Sequence, residues 1–481
     1  MKLGKPLLWL LVLCAGVLCA QEKIIPPPPG NPPVPASLAT TLPSDIGALL
    51  SERVKTTVYV EFFIQNEIDR ERVTARGIVL DKEGLIVLAD NALSPNVPPG
   101  RLCDFKVHVL GEDSDGYKAE YLGINYVSGT HYVRVEAAGR AKLRPIGDFP
   151  VAEPQTGEML WGISSQDEDF LYKPLLDFGT VVFSHGFPLM FGFTRPEVAG
   201  IGAPVFNAKG DFVGVGTNPS SQNYLMFFGG KTGRIALAPL DESNTFIWAN
   251  DYLKYVKRIP QSPAGDPEPW LGIEGAQPVD KDVAHFLELE KQGAIVVSEI
   301  IAKSPADVAG LKNKDIIVTV DGKPLPKLHP DQNLLRWLTF YVAEKKVGDS
   351  VGFEVIRGDK KELVSVKLVA RPLRDRNAAR DYFPRLGLSV REFTVDDAVK
   401  HRLFQSDLKG AVVSFLRQNA PASTAEMRLG DWIKEVDGSP VNSYAQAVEK
   451  LAAIDKDLQK KEAVVMVSRG TETKVFRLKL N

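Results

Sequence analysis

The chain has 481 residues, of which 44% are hydrophobic and 25% charged, with a formal net charge of −2. That length accommodates about three domains of roughly 150 residues each. The near balance of charge argues against a nucleic-acid binder, which needs a basic surface to displace counterions from phosphates.

Residues 1–20 read as an export signal. Lys2 and Lys5 form a positive start, and Leu7 to Ala20 is an uncharged apolar run too short to cross a bilayer comfortably. The small residues Ala15, Gly16 and Ala20 surround a cut after Ala20. An uncleaved membrane anchor is the alternative, because Leu18 suits a cleavage site poorly. On either reading the remainder is expected to be exported, to the periplasm or the cell envelope. Loss of the signal removes Cys14 and Cys19 and leaves only Cys103, so the fold rests on its cores rather than on a disulfide. Cys103 has no sequence-near His or Asp at zinc spacing, and no metal or other cofactor is expected.

Residues 21–42 contain Pro26 to Pro29 and continue through Pro35 as an extended, polyproline-type linker. A helix capped by Asp45 is expected to run to Val54. Short strands follow at close spacing: Thr57–Phe62, Arg76–Leu80, Gly84–Leu88, Phe105–Val109, Tyr132–Val135, Gly179–Phe183 and Phe212–Gly216. Asp81-Lys82-Glu83-Gly84 is a tight turn between two of them, and Trp248–Val256 reads as a closing helix. Many close strands point to antiparallel barrels or a sandwich over 43–258 rather than βαβ units. A Pro- and Gly-rich linker over 259–267 separates this domain from the rest.

The C-terminal half is a duplication. Asp321-Gly322-Lys323-Pro324 recurs as Asp437-Gly438-Ser439-Pro440, and the same offset pairs Pro305 with Pro421, Ala306 with Ala422, Ala309 with Ala425, Asp315 with Asp431 and Ile317 with Ile433. The two copies are placed at 268–372 and 381–481, with charged Arg374-Asp375-Arg376 at the junction. Each opens with an apolar-Gly-apolar triplet, Leu271-Gly272-Ile273 and Leu386-Gly387-Leu388. With Ser304-Pro305-Ala306-Asp307-Val308-Ala309-Gly310-Leu311 and Asp315-Ile316-Ile317, this order resembles the PDZ domain in its bacterial, circularly permuted form.

The resemblance implies a peptide-binding site in each copy. The triplet loop would present backbone N–H groups to a terminal carboxylate, and the strand after it would pair with the peptide. Leu271, Gly272, Ile273, Leu334, Leu335 and Leu338 would form the first site. Leu386, Gly387 and Leu388, with Ala447 and Leu451, would form the second. The plainer alternative is that these leucines only fill a small core. Glu426 stands where the first copy has Gly310, and is expected to alter the turn there.

Two such modules behind an export signal and a β-rich domain resemble the HtrA (Deg) family. That likeness implies a mainly β fold, with a trypsin-like double β-barrel followed by two α+β PDZ domains. Arg76–Leu80 with Gly84–Leu88 is similar to the strand pair leading to that family's catalytic histidine. Gly202-Ala203-Pro204-Val205-Phe206 and Gly210–Val215 are similar to the region around its serine. The triad positions themselves carry Ala92, Thr130 and Ile201, none of which can act as base, orienting acid or nucleophile. His131 beside Thr130 cannot substitute, since one step along a strand reverses the side chain.

The expected function is therefore that of an exported pseudoprotease. It would bind protein C-termini or extended, unfolded polypeptides as a scaffold or quality-control factor. Resemblance also implies a trimer-based homo-oligomer or a hetero-oligomer with an active relative. One alternative is an active serine endopeptidase whose catalytic residues lie elsewhere; another is a structural envelope component with closed grooves.

Overall fold

The computed structural model describes residues 45–89, 93–186, 189–217, 224–229, 234–239, 244–329, 331–401, 403 and 409–480. The expected signal, the proline-rich linker and Ala92 lie outside the described residues. Asp45 caps α1 (Ile46–Arg53) by accepting the Ala48 N–H at 3.2 Å.

Six strands then close a first barrel: β1 (Thr57–Gln65), β2 (Arg70–Val79), β3 (Leu85–Leu88), β4 (Leu102–Val109), β5 (Tyr117–Asn125) and β6 (Thr130–Val135), in the order β1-β2-β3-β6-β5-β4. The Asp81–Gly84 turn works because Gly84 takes φ +76° while the Asp81 carboxylate accepts the Leu85 N–H at 2.9 Å. After α2 (Ala137–Arg140), a second barrel is built from β7 (Met159–Ser165), β8 (Pro174–Gly186), β9 (Met190–Arg195), β10 (Pro204–Asn207), β11 (Phe212–Thr217) and β14 (Asn244–Trp248). Its order is β10-β11-β14-β9-β8-β7, and a separate hairpin joins β12 (Tyr224–Gly229) to β13 (Arg234–Pro239). Closure removes the exposed edges that open sheets must protect. One apolar cluster bridges the barrels, joining Ile78, Val87 and Tyr132 of the first to Trp161, Phe206, Phe212 and Val215 of the second, with Val256 of α3 (Ala249–Val256).

The first repeat comprises β15 (Pro269–Trp270), β16 (Ile273–Pro278), α4 (Lys281–Phe286), β17 (Ile295–Ile300), α5 (Pro305–Val308), β18 (Ile316–Val320), β19 (Lys323–Pro324), α6 (Asn333–Ala343), β20 (Ser350–Arg357), β21 (Lys360–Lys367) and β22 (Val369–Ala370). The second comprises β23 (Arg380–Phe383), β24 (Leu388–Glu392), α7 (Val395–Lys400), β25 (Ala411–Leu416), α8 (Pro421–Thr424), β26 (Trp432–Val436), β27 (Ser439–Pro440), α9 (Tyr444–Lys456), β28 (Glu462–Arg469) and β29 (Glu472–Lys479).

The duplicated motifs do the same work twice. Asp321 and Asp437 both have φ +49°, followed by Gly322 and Gly438 at +74° and +73°, which makes each pair a two-residue hairpin turn. Each aspartate accepts a backbone N–H from the neighbouring strand, Gly352 at 2.7 Å and Val464 at 2.8 Å. Asp315 and Asp431, each 1% exposed, accept bidentate guanidinium bonds from Arg357 and Arg469. The same arginines reach the carbonyls of Gly310 and Glu426. Contrary to expectation, Glu426 leaves the turn unaltered: it holds φ +66° where Gly310 has +87°. The backbone bonds around it outweigh the left-handed strain of about 1 kcal/mol that a non-glycine residue incurs.

Candidate functional site

Between the barrels and α6 of the first repeat lies a cavity of about 320 Å³, and its described lining includes Ala89, Thr130, Gly202, Thr217, Asp251 and Arg336. Thr130 opens β6 and is buried, its hydroxyl 2.7 Å from Ser128 Oγ and 3.1 Å from the Tyr132 hydroxyl, which donates to the Val256 carbonyl. The loop holding Ile201 presses on the end of β3, since a Cβ placed on Gly202 would lie 2.5 Å from that of Ala89. Gly202 has φ +73°, and its N–H donates to the Gly216 carbonyl at 2.7 Å. Thr130 and Gly202, the neighbour of Ile201, thus line one crevice together with Ala89.

Arg76, which reads as an ordinary strand residue in the sequence, reaches from the first barrel to the Ile201 loop. From β2 it donates to the Ile201 carbonyl at 3.0 Å and to the Tyr59 hydroxyl at 3.2 Å, and Ser165 of the second barrel donates to the same hydroxyl at 2.9 Å. The Ile201 loop is therefore tied to the first barrel by a cation, and Tyr59 links that barrel to Ser165 of the second. The Asp251 carboxylate is engaged by the Met190 N–H at 2.6 Å.

Among the described residues, no imidazole or thiol lines the crevice. His131 faces away from it: the ring is fully buried, with Nδ1 2.8 Å from the Tyr121 hydroxyl. That oxygen also accepts from Arg376 at 3.2 Å, so its own proton is available to His131 Nδ1. Burial, then the Arg376 charge, pushes the imidazole pKa down from 6.5 to about 3, keeping it neutral. His185 stacks on Phe183 in β8, 5.9 Å between centroids. Among the described residues, the remaining polar side chains lining the crevice are hydroxyls, the Asp251 carboxylate that accepts the Met190 N–H, and the Arg336 guanidinium.

The two repeats differ where a peptide would bind. In the first, the sheet runs β16-β17-β18-β20-β21, so β16 is an edge strand, and Pro269–Trp270 pairs with Val369–Ala370 instead of covering it. Gly272 has φ +84° and is buried, and its N–H has no acceptor among the described residues. Leu271, Leu334 and Leu338 pack together in the core at 8%, 3% and 7% exposure, with half-buried Ile273 against them. They form the floor of the groove rather than open walls.

In the second repeat, β24 has a neighbour on each side, β25 and β23. Leu386, Gly387 and Leu388 are buried, and the Gly387 N–H donates to the Phe383 carbonyl at 2.8 Å. The Leu386 N–H donates to Asp455 at 3.1 Å. At the first residue of α9 the Tyr444 hydroxyl donates to Asp381 at 2.5 Å; burial and then that carboxylate push the tyrosine pKa upward.

The repeats also touch the barrels. Tyr255 of α3 meets Phe340 of α6 edge-on at 5.4 Å, Ser389 donates to Glu67 at 2.9 Å, and Arg376, 1% exposed, is buried against Tyr121. No helix among the described residues is long and apolar enough to cross a membrane.

The family model described as PDZ domain matches residues 275–368. A probable periplasmic serine endoprotease, DegP-like, from Pseudomonas putida (strain GB-1) is 28% identical over 272 residues, 55% of this chain and 50% of that protein. The chain thus spans about half the length of that relative. A protein of the same description from Chlamydia trachomatis serovar D is 23% identical over 429 residues, 86% of this chain and 76% of that protein. Among solved structures, the HtrA-type protease AlgW with decapeptide is similar at 15% identity and TM-score 0.46, covering 68% of this chain and 99% of that one. The serine endoprotease from Yersinia pestis is similar at 14% identity and TM-score 0.46, covering 69% and 99%.

Proposed function

Since the chain belongs to the HtrA/DegP family, with a trypsin-like domain and a PDZ domain, we propose that it is a non-cleaving member that captures the C-termini of other polypeptides. The observation that carries this reading is the groove of the first repeat. Its edge strand β16 begins at a loop whose buried Gly272 N–H lacks an acceptor among the described residues, and buried amides are seldom left unpaired. An extended peptide would add to β16 and place its terminal carboxylate on that loop, while Ile273 and the apolar floor receive its last side chain.

The crevice between the barrels supports the non-cleaving part. A serine-type mechanism needs a nucleophile, a base within hydrogen-bond reach and a group orienting that base. Thr130 is engaged with two hydroxyls, and Ile201 offers only a main-chain carbonyl held by Arg76. On this reading Ala92, Thr130 and Ile201 are the degenerate triad positions. The barrels then serve as a platform for the repeats at 268–372 and 381–481. Export to the periplasm or envelope and trimer-based or mixed assembly with an active relative belong to the same proposal.

The test is a fluorescence-anisotropy titration of the full chain with matched peptides bearing either a free C-terminal carboxylate or an amide. Saturable binding that weakens about tenfold or more on amidation is expected, because charge-assisted hydrogen bonds are worth about 1.5–3 kcal/mol. Equal affinity for both forms, or no saturation, would refute the reading.

A further inference from the structure

We infer that the groove of the second repeat is closed by the chain's own segment Arg380–Phe383, lodged there as a tethered ligand, and that only the first groove is open. This deepens the proposed function and rests on its reading of the triplet loop.

The register carries the inference. β23 runs antiparallel to β24 with Arg380 opposite Arg391 and Phe383 opposite Leu388, so its C-terminal end enters the triplet loop. That is the direction a bound chain terminus must take to bring its last carbonyl to the loop amides. The Phe383 carbonyl accepts the Gly387 N–H at 2.8 Å. Gly272 holds the matching place in the first repeat, and its N–H has no acceptor among the described residues.

The side chains follow the same pattern. Phe383, 4% exposed, sits in the apolar cluster containing Leu386, Leu388, Ala447 and Leu451. Two residues back, Asp381 accepts the Tyr444 hydroxyl at the start of α9. The segment therefore touches the loop, the strand and the helix together. In the first repeat, the residues before the triplet pair with β22 and leave β16 with no outer neighbour among the described residues. The second repeat thus shows which occupant its own groove accepts: a chain with an aromatic last residue and an acid two places earlier.

A linker this short holds the segment at roughly millimolar effective concentration. A free peptide binding intrinsically at ~10 μM would then be weakened about 100-fold at the second groove.

The experiment is hydrogen exchange read by mass spectrometry on the full chain, with and without an octapeptide ending Arg-Asp-Tyr-Phe and carrying a free carboxylate. In the wild type, the peptide is expected to slow exchange in 273–278 and leave 388–392 unchanged. Phe383→Ala should let it protect 388–392 at about 100-fold lower concentration. Asp381→Ala, at an exposed side chain, should do so at about tenfold lower concentration and guards against misfolding of the first variant. Unchanged protection of β28 and β29 reports that the repeat is folded. Peptide protection of 388–392 at low concentration in the wild type would overturn the inference, as would no gain in the folded variants. A silent 273–278 with a responsive Phe383→Ala would instead refute the reading of the first groove and uphold the tethered segment.

Discussion

His131 offers a quantitative test of how the barrel residues flanking the crevice are used. A buried neutral imidazole beside a buried guanidinium cannot take a proton without loss of stability, and its folded pKa is about 3 against 6.5 in the unfolded chain. Because the folded value is depressed, this contribution is fully present above pH 6.5 and lost as the pH falls from 6.5 toward 3. The loss approaches about 1.4 kcal/mol per pH unit and comes to about 2.3 kcal/mol between pH 6.5 and 4.5. For a domain of this size that corresponds to about 5–10 °C in melting temperature. His131→Leu removes the titration at similar volume and forfeits the bond to Tyr121, lowering stability by about 1 kcal/mol at neutral pH. Calorimetric melting of both full-length proteins from pH 7.5 to 4.5 should show the wild type falling more steeply until the curves converge or cross. Parallel curves would refute the assignment of His131 as a buried neutral residue, and reopen it as a candidate acid–base group.

Two further outcomes concern the repeats. Glu426→Gly relieves a left-handed non-glycine residue and should stabilise the second repeat by about 1 kcal/mol, measured as a higher urea midpoint for exchange protection in β28 and β29; destabilisation would mean the Glu426 side chain is needed. Asp431→Asn weakens a buried bidentate pair with Arg469 and should cost about 3 kcal/mol in the same assay. The effect should stay within the second repeat, leaving β16–β18 unaffected.

Much of the architecture was legible because alternating apolar residues and turn signals are local. The strands near Thr57, Gly84 and Phe212 announce themselves in this way. β5 escaped notice because its first half is only half-buried and carries Lys118 and Glu120, so alternation there is weak. The repeat was legible through residues whose backbone or ion-pair roles are fixed, such as Asp321-Gly322 and Asp315. What was illegible depends on distant partners. Arg376 sits in a charged stretch that reads as a solvated junction, yet it is buried because the first barrel presents the Tyr121 hydroxyl. Arg380–Phe383 falls at the start of the second copy, placed from 381, where the sequence assigns no strand. Only the edge of β24 makes it a strand. Arg76 gave no signal, since its partner Ile201 is far away in the sequence.

The proposed role of this protein rests on the inability of the crevice to cleave. The most direct measurement incubates the full-length wild-type protein with casein and with a fluorophosphonate probe, using an active serine endoprotease as the positive control. No turnover above background and no labelled serine are predicted. Casein turnover that the probe abolishes, with the label mapped to a serine of the barrels, would contradict the central claim.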